Sequence, residues 1–474
     1  MNEHELRQAA GRGLQAFVQW SVAQELADMP SSARTKAIMI MADDLAAMIS
    51  AQYEPQVIAA HANLVKRGPA GSASLFREGR PQLLMPQAAM GNALAASWNE
   101  LDEGYRKAVC HAGLYTLPVL FAIAESEHIA MSEVLRASIL AYEATARFAK
   151  TWSFPTLKIH PHALFCAVGV TASIGFLRRL PADIMLAALS NAATLGVVGP
   201  YSQAIRGALV RNTWAAAGIS NGFHAIEWAQ AGIAGLSQTP HDVYFETLGS
   251  DADPASLTEG LGQDWAVASG YHKINACCQY AHSAIEAMRQ ILDEQPDLLG
   301  GADVQSIRIK THRLGLTLND YQPTTTLGGK FSLPHALATS LVHGHGGAAA
   351  FDSQALQDER VKRLRAQVDM SLVVQELPWP QDRPAYLTVV RKDGREHTAV
   401  CLSARGGPDL PFDDNELWEK IRGLSHATMP GLLPAMQRLH ACVDGTAQHD
   451  DLDRPWRQWV DVFFSNRPIE QHLG

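Results

Sequence analysis

Cysteine is scarce and unpatterned in this chain. The six in 474 residues (Cys110, Cys166, Cys277, Cys278, Cys401 and Cys442) never take a Cys-x-x-Cys spacing. That argues against a disulfide framework or a structural zinc site and fits free thiols in a reducing cytoplasm. Basic clusters are missing too: net charge is −9 and no Lys/Arg-rich block occurs, so the electrostatic footprint of a nucleic-acid binder is absent. The longest apolar stretch, ALFCAVGVTASIGFL at 163–177, falls short of the roughly 20 residues that span a bilayer. No membrane partner is expected. The opening MNEHELRQAA lacks the basic start and apolar run of a secretory leader, so none is expected. No internal repeat or low-complexity tract interrupts the chain.

What is present is an ordinary globular balance, with 47% apolar and 18% charged residues, in a chain long enough for two or three domains. From about residue 13 to 235, Ala- and Leu-rich segments with helical spacing alternate with Pro and Gly breaks, which predicts a helical half. The small residues of 215–232 predict close helix packing. A linker-like stretch to about 265 follows. Beyond 270 the pattern changes. VQSIRIKTH (304–312) alternates like a half-buried strand, and 386–401 reads as two strands about an Asp393–Gly394 turn. Between them a helix is predicted after Lys330, with Ser332 as its N-cap and Pro334 in its first turn. From Asp413 onward the chain is helical again and is expected to pack back on the N-terminal half.

Several polar clusters carry candidate chemistry. YHKINACCQYAHSAIEAMRQ (271–290) places Lys273 before a helix, where backbone amides near a helix start would favour an anion. The loop WNELDEGYRKAVCHAG (98–113) holds Asp102, Glu103, Tyr105 and His111, and KIHPHA (158–163) holds His160 and His162. A histidine in a cleft is suited to proton transfer near neutral pH. His-x-His can also ligate metal, but no third ligand stands at an identifiable spacing. LGGKFSLPHALATSLVHG (327–344) adds Lys330 and His335; its Gly-Gly-Lys lacks the spacing of a phosphate-binding loop.

Taken in order, KINACCQYAHSAIEA, KFSLPHALA, HPHA and the closing DGR…GGPDLPFDDNELWEK resemble the MmgE/PrpD family, over roughly residues 35–425. That family contains 2-methylcitrate dehydratase, cis-aconitate decarboxylase and iminodisuccinate epimerase. The resemblance implies a mostly α fold with an α+β part. A large all-helical domain would be formed by both chain ends (1–266 and 406–474), with a smaller α+β lid domain (267–405) between them. It also implies a cytoplasmic homodimer that uses no cofactor or metal and acts on a small polycarboxylate.

Carried over by position, Lys273, His160, His111 and Asp102 become the catalytic set. Arg211, Lys330, His162, Tyr105 and His335 become substrate-binding residues, and Cys277 and Cys278 become packing residues. Lys273 and Arg211 would hold substrate carboxylates, His160 and His111 would exchange protons, and Asp102 would orient one histidine or handle a leaving hydroxyl. Alanine at His160 or Lys273 is expected to cost turnover and spare the fold.

The chain departs from the family pattern at the acidic loop, which reads LDEGY, and at His111–Ala112, where His-Pro is usual. It departs also at Arg211, which falls where cis-aconitate decarboxylase and its relatives carry a lysine. Arginine stays protonated and forks onto a carboxylate but does not readily exchange protons. The expected reaction is that of a cofactor-independent lyase, either dehydratase or decarboxylase. The alternatives are an epimerase or isomerase, a non-catalytic carboxylate-binding paralogue, and a metal hydrolase using His160 and His162.

Overall fold

A computed structural model describes residues 2–445, 449–469 and 471. At its centre lies the helix Pro161–Leu177, buried along its whole length. A helix that is apolar on every face has to sit inside a bundle. Pro161 opens it, where a missing N–H costs little, and His160 stands at the cap position. Helices Ala112–Ser126, Met131–Thr151, Ala182–Thr194 and Trp214–Gln230 pack around it. The predicted close packing in 215–232 is found at Gly218 and Gly222: a Cβ on Gly222 would stand 2.3 Å from Val170 Cγ1.

Both chain ends enter this core. Leu14 and Phe17, from helix Glu3–Val22, share one apolar cluster with Trp418, Trp456 and Phe463 from the C-terminal helices. Trp456 stacks on Phe121 with ring centroids 4.6 Å apart. Helices Asp414–Ser425 and Leu432–Asp444 lie against helix Ser31–Ser50.

A second core belongs to the middle of the chain. Its four-stranded sheet runs in the order Val368–Leu372, Val304–Thr311, Ala385–Arg391, Glu396–Cys401. The first pair is parallel and the others are antiparallel. Ile307, Ile309, Leu387 and Val389 form one apolar cluster with helices His282–Glu294 and Leu333–His343. The fold is therefore mostly α with an α+β part, as expected. The Asp393–Gly394 turn is present, with Gly394 at φ 87°, and the Ser332 hydroxyl accepts the His335 N–H at 3.0 Å. The parallel strand Val368–Leu372 was not singled out from the sequence although VDMSL alternates apolar and polar residues: five residues, mostly exposed or half-buried, give a short signal.

Two other expectations need correction. The linker-like stretch before residue 265 is packed, with Tyr244 and Leu257 buried in the helical core; isolated apolar anchors without periodicity leave no helical signature. Lys273 also lies farther from its helix than supposed. It follows the short strand Gly270–Tyr271, and the helix begins only at His282, after a 3₁₀ turn over Gln279–Ala281. The first turn of helix His282–Glu294 is therefore not adjacent to the lysine in the chain. Among the described residues no helix is long and apolar enough to cross a membrane.

Candidate active site

A two-residue strand pairing assembles the site. Gly104 and Tyr105 pair antiparallel with Tyr271 and Gly270, which carries the acidic loop alongside the segment leading to Lys273. Gly104 is needed there, since a Cβ would fall 2.5 Å from the Tyr271 ring. The result is that Lys273 Nζ donates to Asp102 Oδ1 at 3.2 Å, although the two residues are far apart in sequence. His111 immediately precedes helix Ala112–Ser126, and its Nδ1–H donates to Asp102 Oδ2 at 2.7 Å.

The Asp102 carboxyl sits well below the usual carboxylate range. Burial pushes it up, but Lys273 first, then His111 and Arg211, pull it down further. Lys273 is pushed up: burial opposes its charge, but Asp102 and Glu100 outweigh it. An ionised Asp102 fixes the His111 tautomer with Nδ1 protonated, which frees Nε2 to accept a proton from the pocket that His111 lines.

Glu100 completes the charged cluster. Its Oε1 lies 2.5 Å from Arg211 and its Oε2 3.9 Å from Lys273. Glu100 and Arg211 are both buried, at 2% and 1% exposure. The two cations expected to hold substrate carboxylates thus have carboxylates of this chain against them already. Arg211 also lies over the Phe331 ring at 5.3 Å.

His160 has donors at both nitrogens. Nδ1 faces the His162 backbone N–H at 3.2 Å, and Nε2 faces Arg211 Nε at 3.3 Å. A neutral imidazole accepts through one nitrogen only, so one of these contacts is not a full hydrogen bond. Burial, with Arg211 and His111 adding to it, holds His160 well below the usual histidine range. His162, held through Nδ1 at 2.7 Å from the Tyr115 hydroxyl, is lowered by burial first and by the same Arg211 charge. With donors at both nitrogens of His160, the pair His160 and His162 is poorly disposed to ligate metal. Among the described residues no three His, Cys, Asp or Glu side chains are grouped to do so.

Several of these groups border a small pocket of about 40 Å³. The helical-domain wall carries Glu100, Tyr105, His111, His160 and Arg211. The facing wall comes from the smaller domain and carries Gln279, Tyr280, Phe331 and Arg383. Arg383 donates to Gln279 Oε1 and lies over the Tyr280 ring at 5.0 Å. Among the described residues the Tyr280 hydroxyl is buried without a partner, and burial pushes it up to about 12, so it remains a donor. Arg106, from the acidic loop, donates to Asp382 at 2.6 Å, tying the two walls together.

Not every expected residue reaches the pocket. Asp102, Lys273 and His162 stand behind its lining. Lys330 is also behind it, donating to Trp98 O at 2.9 Å and Asn99 Oδ1 at 2.8 Å; burial pushes it down to about 8. His335 belongs to the core of the smaller domain, against Arg365 and Phe351. Cys277 and Cys278 are buried, and burial pushes the Cys278 thiol up to about 12, which suits packing better than nucleophilic chemistry. Glu100, Arg383 and Tyr280 were missed as site residues. Glu100 carried a signal only as a third acid in the loop, and the other two carried none.

A buried polar layer supports Asp102 from below. Asp44 Oδ1 accepts the Glu103 N–H at 2.9 Å, and Glu103 accepts from Tyr142 at 2.9 Å and from the Gly113 N–H. Lys420, from the C-terminal helix, donates to Leu101 O at 2.9 Å and to Asp43, whose other oxygen accepts from His272 at 2.7 Å. The chain's C-terminal part therefore braces the loop that carries the site.

Comparison with known proteins agrees with the sequence resemblance. The MmgE/PrpD N-terminal domain is matched over residues 15–244 and the C-terminal domain over 276–439. The cis-aconitate decarboxylase-like protein oryM of Aspergillus oryzae is 24% identical over 443 residues, covering 86% of this chain and 90% of that protein. The cis-aconitate decarboxylase of Aspergillus terreus is 26% identical over 279 residues, covering 54% of this chain and 56% of that protein. With both family domains matched in order across the helical half and the α+β unit, this chain belongs to the MmgE/PrpD family.

Proposed function

We propose that this protein is a lyase that removes water or carbon dioxide from a small carboxylic acid, using side chains alone. The observation that carries the reading is the Lys273–Asp102–His111 chain, with contacts of 3.2 and 2.7 Å, ending at a ring that lines the pocket. The relatives named decarboxylases support the reaction class.

In the proposed dehydration His111 Nε2 takes a proton from the carbon next to the substrate carboxylate, the neighbouring carbon–oxygen bond breaks, and the imidazolium gives that proton to the departing hydroxide so that water leaves. In the proposed decarboxylation the carbon–carbon bond to the departing carbon dioxide breaks and the imidazolium of His111 gives its proton to the carbon left behind. Asp102 stabilises the imidazolium formed meanwhile. Lys273 keeps Asp102 ionised, and Arg211 stabilises negative charge as it develops. His160, expected as a second proton carrier, is assigned instead to positioning Arg211: a ring held low by burial and an adjacent guanidinium is a poor base and stays unprotonated near neutral pH, with no extra proton to give.

The test is proton NMR of EDTA-treated protein in D₂O with a panel of carboxylic acids that includes cis-aconitate, citrate, 2-methylcitrate, iminodisuccinate and simple hydroxy acids. New olefinic signals or released carbon dioxide are expected. Exchange of one carbon-bound proton with no new compound would replace the lyase reading with an epimerase. Silence across the panel would remove it.

A further inference from the structure

The pocket beside His111 is too small for a whole substrate. At about 40 Å³ it has room for a few water molecules, since one water needs about 10–15 Å³ of such space. One carboxylate-bearing end of an acid fits there, and the rest of the molecule has to lie elsewhere. This inference rests on the lyase reading and narrows its substrate.

A second cavity, of about 410 Å³, adjoins the first: Ala108, Val109, Pro161 and Arg383 line both. On one side it is lined from the helical domain, by Trp152 at the end of helix Met131–Thr151, by Phe154 just beyond, and by Leu164 and Phe165 near the start of helix Pro161–Leu177. On the other side stands Trp379, from the segment that joins strands Val368–Leu372 and Ala385–Arg391. Trp152, Leu164 and Phe165 are buried, but Trp379 is 48% exposed. A ligand that covered this indole would remove apolar area from water, which favours binding.

Charge points the same way. Arg106, Lys107 and Arg383 line this larger cavity with a single carboxylate, Asp382, and an excess of positive charge draws an anion. An aromatic cavity with cations along it suits an acid that carries an apolar tail. A wholly polar acid would leave Trp379 in water.

We propose that the larger cavity is a second subsite of the same centre, holding the apolar tail of a carboxylic acid whose carboxylate-bearing end reacts beside His111. Trp379 and Phe154 are then specificity-determining residues that read the tail and not the reacting carbons.

The experiment titrates three unreactive dicarboxylates of equal charge, succinate, 2-butylsuccinate and 2-hexylsuccinate, calorimetrically into the wild-type protein, Trp379→Ala and Ser153→Trp. Ser153 lines the larger cavity and is exposed, so an indole there takes up space without disturbing the core. Wild type should bind the tailed acids more tightly than succinate, by about fourfold for each methylene that is buried. Trp379→Ala should cut that advantage about tenfold. Ser153→Trp should abolish the gain from butyl to hexyl and leave succinate as in wild type. Equal or weaker binding of the tailed acids by wild type, or an advantage undiminished in both folded variants, would overturn the proposal. Because the probes do not react, tail-dependent binding without turnover of any acid would count against the lyase reading alone. Turnover of citrate or cis-aconitate with no effect of the tail on binding would count against this inference alone.

Discussion

On the helical-domain wall of the pocket the charged groups are matched within the chain: Asp102 with Lys273 and His111, and Glu100 with Arg211. Across the cleft, Arg106 of the acidic loop and Arg383 of the smaller domain share Asp382, and among the described residues the Tyr280 hydroxyl of the smaller domain has no partner. The first arrangement is preorganised for moving protons, because its dipoles and charges are fixed before substrate arrives. The second is under-satisfied, and a buried donor without an acceptor gains most from a ligand that supplies one. One wall is built for chemistry and the other for capture.

The largest effect should come from breaking the matched wall. Asp102→Asn unpairs Lys273 and loses the tautomer control on His111, and kcat should fall by about 10²–10⁴. His111→Gln should do the same, and the double variant should be little worse than either, since the pair acts as a unit. Steady-state kinetics on whichever acid is turned over checks this; additive losses would separate the two residues.

Next in size is stability. Lys273→Met leaves Glu100 and Asp102 buried with a cation removed, which should cost about 3–5 kcal/mol in urea unfolding. The expectation that alanine at Lys273 spares the fold is thereby revised: full burial of the ion pair could not be read from the segment alone. An unchanged unfolding midpoint would mean that water reaches the cluster.

Loosening the tie between the walls should matter less. Arg106→Ala removes a partly exposed pair with Asp382, worth about 1 kcal/mol. It should raise KM about fivefold while leaving kcat nearly unchanged. A matching fall in kcat would implicate the loop in chemistry.

Two pH effects on stability stand apart from that ranking. Burial pushes Glu103 up to about 8 from an ordinary 4.5. The folded state therefore binds the extra proton, and stability is lost as pH rises through that window. Glu103→Gln should flatten that decline. His335 runs the other way: burial, helped by Arg365, pushes it down to about 3 from 6.5. The unfolded chain takes up the proton first, so stability falls as pH drops from about 6.5 to 3, and His335→Gln should lessen that fall. Thermal unfolding across pH 4–9 reads the first effect and the upper part of the second; parallel curves for wild type and variants would refute both.

Much of this could be read from the sequence where a residue type and a periodicity coincide. The largely apolar 163–177 segment announced the central helix, the Asp393–Gly394 turn announced the hairpin, and Asp102, His111, His160, Arg211 and Lys273 do converge. What stayed hidden depends on long-range contacts. Arg383 and Tyr280 look like ordinary residues until the smaller domain brings them opposite the acidic loop. His335 and Lys330 share a motif with pocket residue Phe331, yet both side chains point elsewhere because the short helix Thr326–Lys330 ends between them. Glu100 gave no hint of its left-handed backbone, which arises from packing and not from local sequence.

The most direct test of the proton chain on the helical-domain wall is nitrogen-15 NMR of the His111 ring in the wild-type protein and in Asp102→Asn. The expected result is a wild-type ring carrying its proton on Nδ1, held by Asp102, with that preference lost in Asp102→Asn. A wild-type ring carrying its proton on Nε2, or an unchanged tautomer in the variant, would contradict it.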